Sequence, residues 1–145
     1  MVSNILIVDD SDVFRGTLKG LISKHFPDMS VAEACSCTEA WQKLEEVSPQ
    51  IVFSDLRIHK EDGLNLVEQI RAAYPDMILV VITGHDFPEY REVAYARGAD
   101  CYIPKNTASS SDILSLVASF LSGEMPQWQL GSDYLNPAPP AHPWK

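Results

Sequence analysis

Asn4-Ile5-Leu6-Ile7-Val8-Asp9-Asp10 holds the pattern that decides the fold: a short, wholly apolar run that ends on acid. A run with no polar alternation reads as a strand covered on both faces, which is the habit of parallel sheets. The same design recurs three times. Ile51-Val52-Phe53-Ser54 leads into Asp55, Ile78-Leu79-Val80-Val81-Ile82 into Thr83, and Cys101-Tyr102-Ile103-Pro104 into Lys105. Parallel neighbours share one C-terminal edge, where open α/β sheets carry their ligand sites. Three carboxylates, one hydroxyl and one ammonium are therefore expected to converge on one crevice.

Helical spacing fills the intervals. Phe14, Leu18, Leu21 and Ile22 recur on one face after an N-cap at Ser11 or Asp12, and Pro27 ends that helix. Val31–Ala34 reads as a second strand, and Thr38-Glu39 opens a second helix through Trp41 and Leu44. Leu64, Leu66, Val67 and Ile70 mark a third helix before Pro75. A fourth runs from about Pro88 to Arg97, and a fifth carries Ile113, Leu114, Val117, Phe120 and Leu121. Strand and helix thus alternate five times, which predicts an α/β fold: a five-stranded parallel sheet with helices on both faces. Periodicity alone leaves the strand order open.

Three carboxylates in one crevice repel one another, and a divalent cation relieves that repulsion. Mg²⁺ suits the set because it is hard and takes carboxylate oxygens, with Mn²⁺ as substitute. The formal net charge of −9 and the scatter of the eleven Lys and Arg residues argue against direct binding to nucleic acid or an anionic membrane. No apolar run reaches the ~18 residues of a membrane span. A cleaved leader has no room before the first strand. The three cysteines, Cys35, Cys37 and Cys101, form no Cys-x-x-Cys pair, which suits a reducing cytoplasm.

Val8-Asp9-Asp10, Ser54-Asp55, Asp62-Gly63, Thr83-Gly84, Gly98-Ala99-Asp100 and Tyr102-Ile103-Pro104-Lys105, in this order and spacing, resemble a response-regulator receiver domain. The resemblance implies the strand order 2-1-3-4-5, a flavodoxin-like arrangement. It implies Asp55 as phosphoacceptor from a sensor histidine kinase or a histidine phosphotransfer protein, with Lys105 and Thr83 assisting. Asp10, Asp55 and the Arg57 backbone carbonyl would hold Mg²⁺, with Asp9 acting through water. Thr83 and Tyr102 would form the switch, changing the fourth-helix and fifth-strand surface around Tyr90, Tyr95 and Tyr102 for a downstream protein target. Self-association through the same region follows by analogy. Such a domain accepts and slowly loses its own phosphoryl group and is not a turnover enzyme.

Two departures from the family pattern stand out. Asn106 follows Lys105 where the family usually has proline, and a cis bond before a non-proline costs about 2.5–4 kcal/mol, so a loop of different shape is expected, with Lys105 held less firmly and the bond left open between cis and trans. His59 stands where proline is common. Arg57 and His85 occupy the positions that tune loss of the phosphoryl group, and their basic side chains predict a long-lived aspartyl phosphate.

Competing readings fare worse. A haloacid-dehalogenase-type phosphatase needs a second Asp where Arg57 stands. A nucleotide or flavin module wants a Gly-rich phosphate loop in place of Asp9-Asp10-Ser11-Asp12. A phosphorylation-independent receiver-like interaction domain remains the alternative, kept open by Asn106. The domain is expected over 1–122. Residues 123–145 hold five of the ten prolines and two of the three tryptophans, Trp128 and Trp144. They read as a flexible tail or the remnant of a linker, or, under a sharper reading, as a segment whose Trp128, Tyr134 and Trp144 anchor a partner or fold back on the domain; whether the chain is standalone or cut from a longer regulator stays open.

Overall fold

The computed structural model describes residues 3–58, 61–84 and 87–122. The expectations for His59, His85 and the 123–145 segment therefore lie outside the described residues. The apolar runs form strands β1 (Ser3–Val8), β2 (Met29–Ala34), β3 (Ile51–Ser54), β6 (Ile78–Thr83) and β7 (Cys101–Pro104). Between β3 and the next helix lies a short antiparallel pair that periodicity did not predict, β4 (Arg57–Ile58) with β5 (Glu61–Asp62). The helices are α1 (Asp12–His25), α2 (Cys37–Val47), α3 (Gly63–Ala73), α4 (Pro88–Ala96) and α5 (Ser110–Ser122).

The main sheet is wholly parallel, in the order β2-β1-β3-β6-β7. Counting only its own strands, this is the expected 2-1-3-4-5. The strand runs are apolar without alternation because both faces are covered. Leu6, Val8, Val52, Leu79, Val81 and Tyr102 face one layer, packed by Ala40 and Leu44 of α2, Leu66, Val67 and Ile70 of α3, and Ala94 of α4. Ile5, Ile7, Phe53, Val80, Ile82 and Ile103 face the other, packed by Leu18 and Ile22 of α1 and Leu116, Val117 and Phe120 of α5.

Caps set the helix starts. Ser11 accepts from Phe14 N–H at 3.2 Å, and Ser36 accepts from Glu39 N–H at 3.1 Å. Ser36 thus begins α2 one residue earlier than Thr38, because its hydroxyl takes an otherwise unpaired amide. Asp62 caps α3 through the amides of Leu64 and Asn65 at 2.9 and 3.3 Å. Gly63 follows because no side chain fits: a Cβ there would lie 2.0 Å from the Asp55 carbonyl oxygen. Gly98 has φ +111 and closes α4 against the Arg71 side chain.

Candidate functional site

Register brings the strand ends together. Val8 of β1 pairs with Ser54 of β3, so Asp9 and Asp55 leave the sheet side by side, and Asp55 N–H donates to the Val8 carbonyl at 3.1 Å. Thr83 of β6 pairs with Pro104 of β7, and the next amide, Lys105 N–H, donates to the Thr83 carbonyl at 2.7 Å. Asp9, Thr83 and Asp55 are buried, whereas Asp10 faces solvent.

The carboxylates of Asp9, Asp10 and Asp55 offer oxygens within 4.8 Å of one another. The Lys105 ammonium donates to Asp9 Oδ2 at 2.8 Å and to Asp55 Oδ2 at 3.2 Å. Backbone amides hold the other oxygens: Ser11 N–H donates to Asp9 Oδ1 at 2.8 Å and Leu56 N–H to Asp55 Oδ1 at 2.6 Å. Burial pushes the Asp9 carboxyl above its ordinary range; hydrogen bonds from Lys105 and Ser11 pull the other way, and the Asp55 charge adds to the rise. Burial pulls the Lys105 ammonium down, but the Asp9 hydrogen bond and the charges of Asp55 and Asp9 outweigh it and raise it. The lysine stays charged across the physiological range.

Three carboxylates meet one ammonium, and every side-chain donor in the group is oxygen. Such a set fits a hard divalent cation better than a thiophilic metal. It could hold a metal ion. Arg57 is exposed and sits on the short β4–β5 pair two residues beyond Asp55. Gly84 is open beside Thr83, with only Lys105 Cδ near the position of an added Cβ, at 4.0 Å.

Tyr102 is fully buried on β7, the inward placement of a switch aromatic. Its ring packs edge-on against Tyr95, 6.5 Å between centroids, and lies under the Arg91 guanidinium at 5.2 Å. An apolar sheet face leaves no solvent on that side of β7. The surface formed there is that of α4, where Tyr90, Tyr95 and Arg91 are half-buried and Phe87 and Val93 are exposed. No cis peptide occurs among the described residues, so the Lys105-Asn106 bond is trans. The loop is closed by Thr107 N–H and Ala108 N–H, which both donate to the Pro104 carbonyl, at 3.2 and 3.3 Å.

Two supporting residues escaped the sequence reading. Arg15 donates to the Asp9 carbonyl at 2.5 Å and pairs with Asp12 and Glu33, pinning the turn that carries the acids. Arg71 reaches the carbonyls of Gly98, Pro75 and Met77 and the Asp100 carboxylate at 2.8 Å. Asp100 also accepts from Leu79 N–H at 2.9 Å. The Gly98-Ala99-Asp100 signature is thus a structural staple between α3, β6 and β7. A cleft of about 500 Å³ among Pro49, Tyr74, Met77, Phe120 and their neighbours lies at the opposite edge of the sheet.

Residues 5–118 match the family described as the response regulator receiver domain, and the chain belongs to that family. It is 32% identical over 126 residues to the response regulator protein VraR of Staphylococcus epidermidis, covering 86% of this chain and 59% of that protein. The chain spans 41–59% of the length of the curated relatives it matches. Among solved structures, the signal receiver domain of a DNA-binding response regulator from Colwellia psychrerythraea superposes with TM-score 0.78 at 22% identity, covering 83% of this chain and 98% of that one. A response regulator from Burkholderia pseudomallei, solved with a phosphorylated aspartic acid, a calcium ion and citrate, gives TM-score 0.73 at 25% identity, covering 90% and 69%. The chain is a receiver domain of two-component systems, a signalling class. No helix among the described residues is long and apolar enough to cross a membrane.

Proposed function

We propose that Asp55 accepts a phosphoryl group from a phosphohistidine on a sensor histidine kinase or a histidine phosphotransfer protein, and that the aspartyl phosphate switches a protein-binding surface. The observation that carries this reading is the cluster of three carboxylates within 4.8 Å, two of them bridged by Lys105. The Burkholderia response regulator, solved with a phosphorylated aspartic acid and a calcium ion, supports the phosphoacceptor half of it.

Asp10, Asp55 and the Arg57 carbonyl would hold Mg²⁺, or Mn²⁺ in its place, with Asp9 acting through water. When bound, the ion supplies positive charge to the phosphoryl oxygens. The Asp55 carboxylate attacks phosphorus, forming the new P–O bond as the P–N bond to the donor imidazole breaks. Asp55 Oδ1 is already oriented by the Leu56 amide, so the nucleophile is held before the donor arrives. The Lys105 ammonium stands 3.2 Å from Asp55 Oδ2 and neutralises charge on the transferred group as a mobile point charge. The Thr83 hydroxyl donates to one phosphoryl oxygen beside open Gly84.

The added group brings about −1.5 to −2 charges at neutral pH for ordinary phosphosites. Drawing Thr83 toward it shifts the balance between two packings of α4 on β7, with buried Tyr102 as the moving element. A downstream protein target, or a second copy of the chain, reads the α4 face. Arg57 and His85 slow loss of the phosphoryl group. The domain spans 1–122, works in the cytoplasm and turns over no separate substrate, and no direct nucleic-acid contact is assigned to its scattered cations.

The test is exposure to acetyl phosphate or beryllofluoride with Mg²⁺, followed by intact mass and by Trp/Tyr fluorescence, on wild type and Asp55→Asn. An Mg²⁺-dependent adduct lost in the variant is expected. No adduct in either protein would turn the reading to a phosphorylation-independent interaction domain. For lifetime, the wild-type adduct should outlast that of an Arg57→Asn/His85→Glu double variant, and equal or slower loss in the variant would refute the tuning role.

A further inference from the structure

The Phe14 ring, in the first turn of α1, lies directly under the Lys105 ammonium, 4.0 Å from Nζ to the ring centroid. A cation at that distance from an aromatic face is attracted by the ring quadrupole, more strongly when water is partly excluded. Water is partly excluded here, because the Lys105 side chain keeps only 19% of its exposure. The ring is itself fixed. Phe14 is half-buried against the α1–α5 side of the core, and its backbone amide is tied to the Ser11 hydroxyl at 3.2 Å.

These contacts close on themselves. Asp9 Oδ1 accepts from Ser11 N–H, Ser11 Oγ accepts from Phe14 N–H, the Phe14 ring carries the Lys105 ammonium, and that ammonium donates to Asp9 Oδ2. A residue from the first helix and a residue from the last strand's loop are thereby locked around one carboxylate. The lysine needs such a hold, since four rotatable bonds separate its charge from the backbone. The ring offers an attraction that does not neutralise the cation, unlike a further carboxylate.

We infer that Phe14 is a positioning residue for the phosphoryl transfer: its ring face holds the Lys105 ammonium between Asp9 and Asp55, where the incoming phosphoryl oxygens need it. The inference rests on the phosphoacceptor reading for its role in transfer, and on geometry alone for the contact.

Two measurements on the full chain test it. By NMR, the Lys105 ε-methylene protons should be shifted upfield by the ring in wild type and return toward random-coil positions in Phe14→Leu. Unshifted protons in wild type would overturn the contact without any variant having to fold. The rate of labelling by acetyl phosphate at saturating Mg²⁺ should fall roughly two- to tenfold in Phe14→Leu and recover in Phe14→Tyr. Site-specific replacement of Phe14 by trifluorophenylalanine, which keeps the shape but weakens the quadrupole, should give an intermediate rate. A trifluoro variant as fast as wild type would reduce Phe14 to a packing residue and overturn the positioning role. No labelling of wild type alongside shifted Lys105 protons would overturn the phosphoacceptor reading, and with it the role in transfer, while establishing the contact.

Discussion

Lys105 is the residue on which the site turns, because its ammonium lies between two buried carboxylates. Removing it leaves Asp9 and Asp55 facing each other with less neutralisation, and it removes charge from the transferred group. Lys105→Met is therefore expected to slow labelling by acetyl phosphate about 10²-fold, the scale of losing one preorganised electrostatic group, while a metal still binds. Stopped-flow fluorescence with acetyl phosphate and saturating Mg²⁺ checks this, and an unchanged rate would remove Lys105 from the transfer step. Gly63 is decisive for a different reason. Its missing Cβ is what lets the backbone of Asp55 and Leu56 pass, since a methyl there would sit 2.0 Å from one carbonyl oxygen. Gly63→Ala should cost about 3 kcal/mol or more by forcing that backbone apart, read from urea midpoints. A loss below about 0.5 kcal/mol, the usual size for an uninvolved surface change, would contradict the close approach.

At the scale of elements, the Arg71–Asp100 staple ties the end of α3 to the start of β7 and the edge of β6. Asp100 is fully buried and Arg71 nearly so, and breaking a buried pair leaves an unpaired charge behind. Arg71→Met should cost about 3–5 kcal/mol, and the charge-neutral pair Arg71→Met/Asp100→Asn should recover part of that loss. Thermal unfolding of both variants measures it; equal destabilisation would mean the other hydrogen bonds of Arg71, to the carbonyls of Gly98, Pro75 and Met77, carry the effect. Nothing in the local sequence shows this staple, because its partners are 29 residues apart. Helix starts were easier to read. Ser11 and Ser36 cap α1 and α2 by a local rule, so the start of α1 was legible and that of α2 moved by one residue only. The β4–β5 pair, two residues on each strand, is too short to leave a periodic signal.

For the whole molecule, metal binding and stability are linked through the same three carboxylates. A divalent ion that binds the folded site and not the unfolded chain stabilises the fold by about 2.7 kcal/mol at a hundredfold excess over Kd. Titration with Mg²⁺ should raise Tm by several degrees, chelation should reverse the rise, and Asp10→Asn should abolish most of it. An equal rise in that variant would exclude Asp10 from the metal site. The alternation of the five main-sheet strands with five helices, the parallel sheet and the choice of acid, hydroxyl and ammonium residues at the strand ends were legible in the sequence. Unbroken apolar runs demand burial on both faces, and each run ends on one polar residue that must sit at the strand's mouth. Tertiary structure decided what no spacing could express. Only folding sets Lys105 between Asp9 and Asp55, lays the Phe14 ring beneath it, and turns Tyr102 away from the surface into the layer under α4. Those contacts join residues far apart in the chain, and they exist only because packing helices on both faces of one sheet fixes where each strand ends.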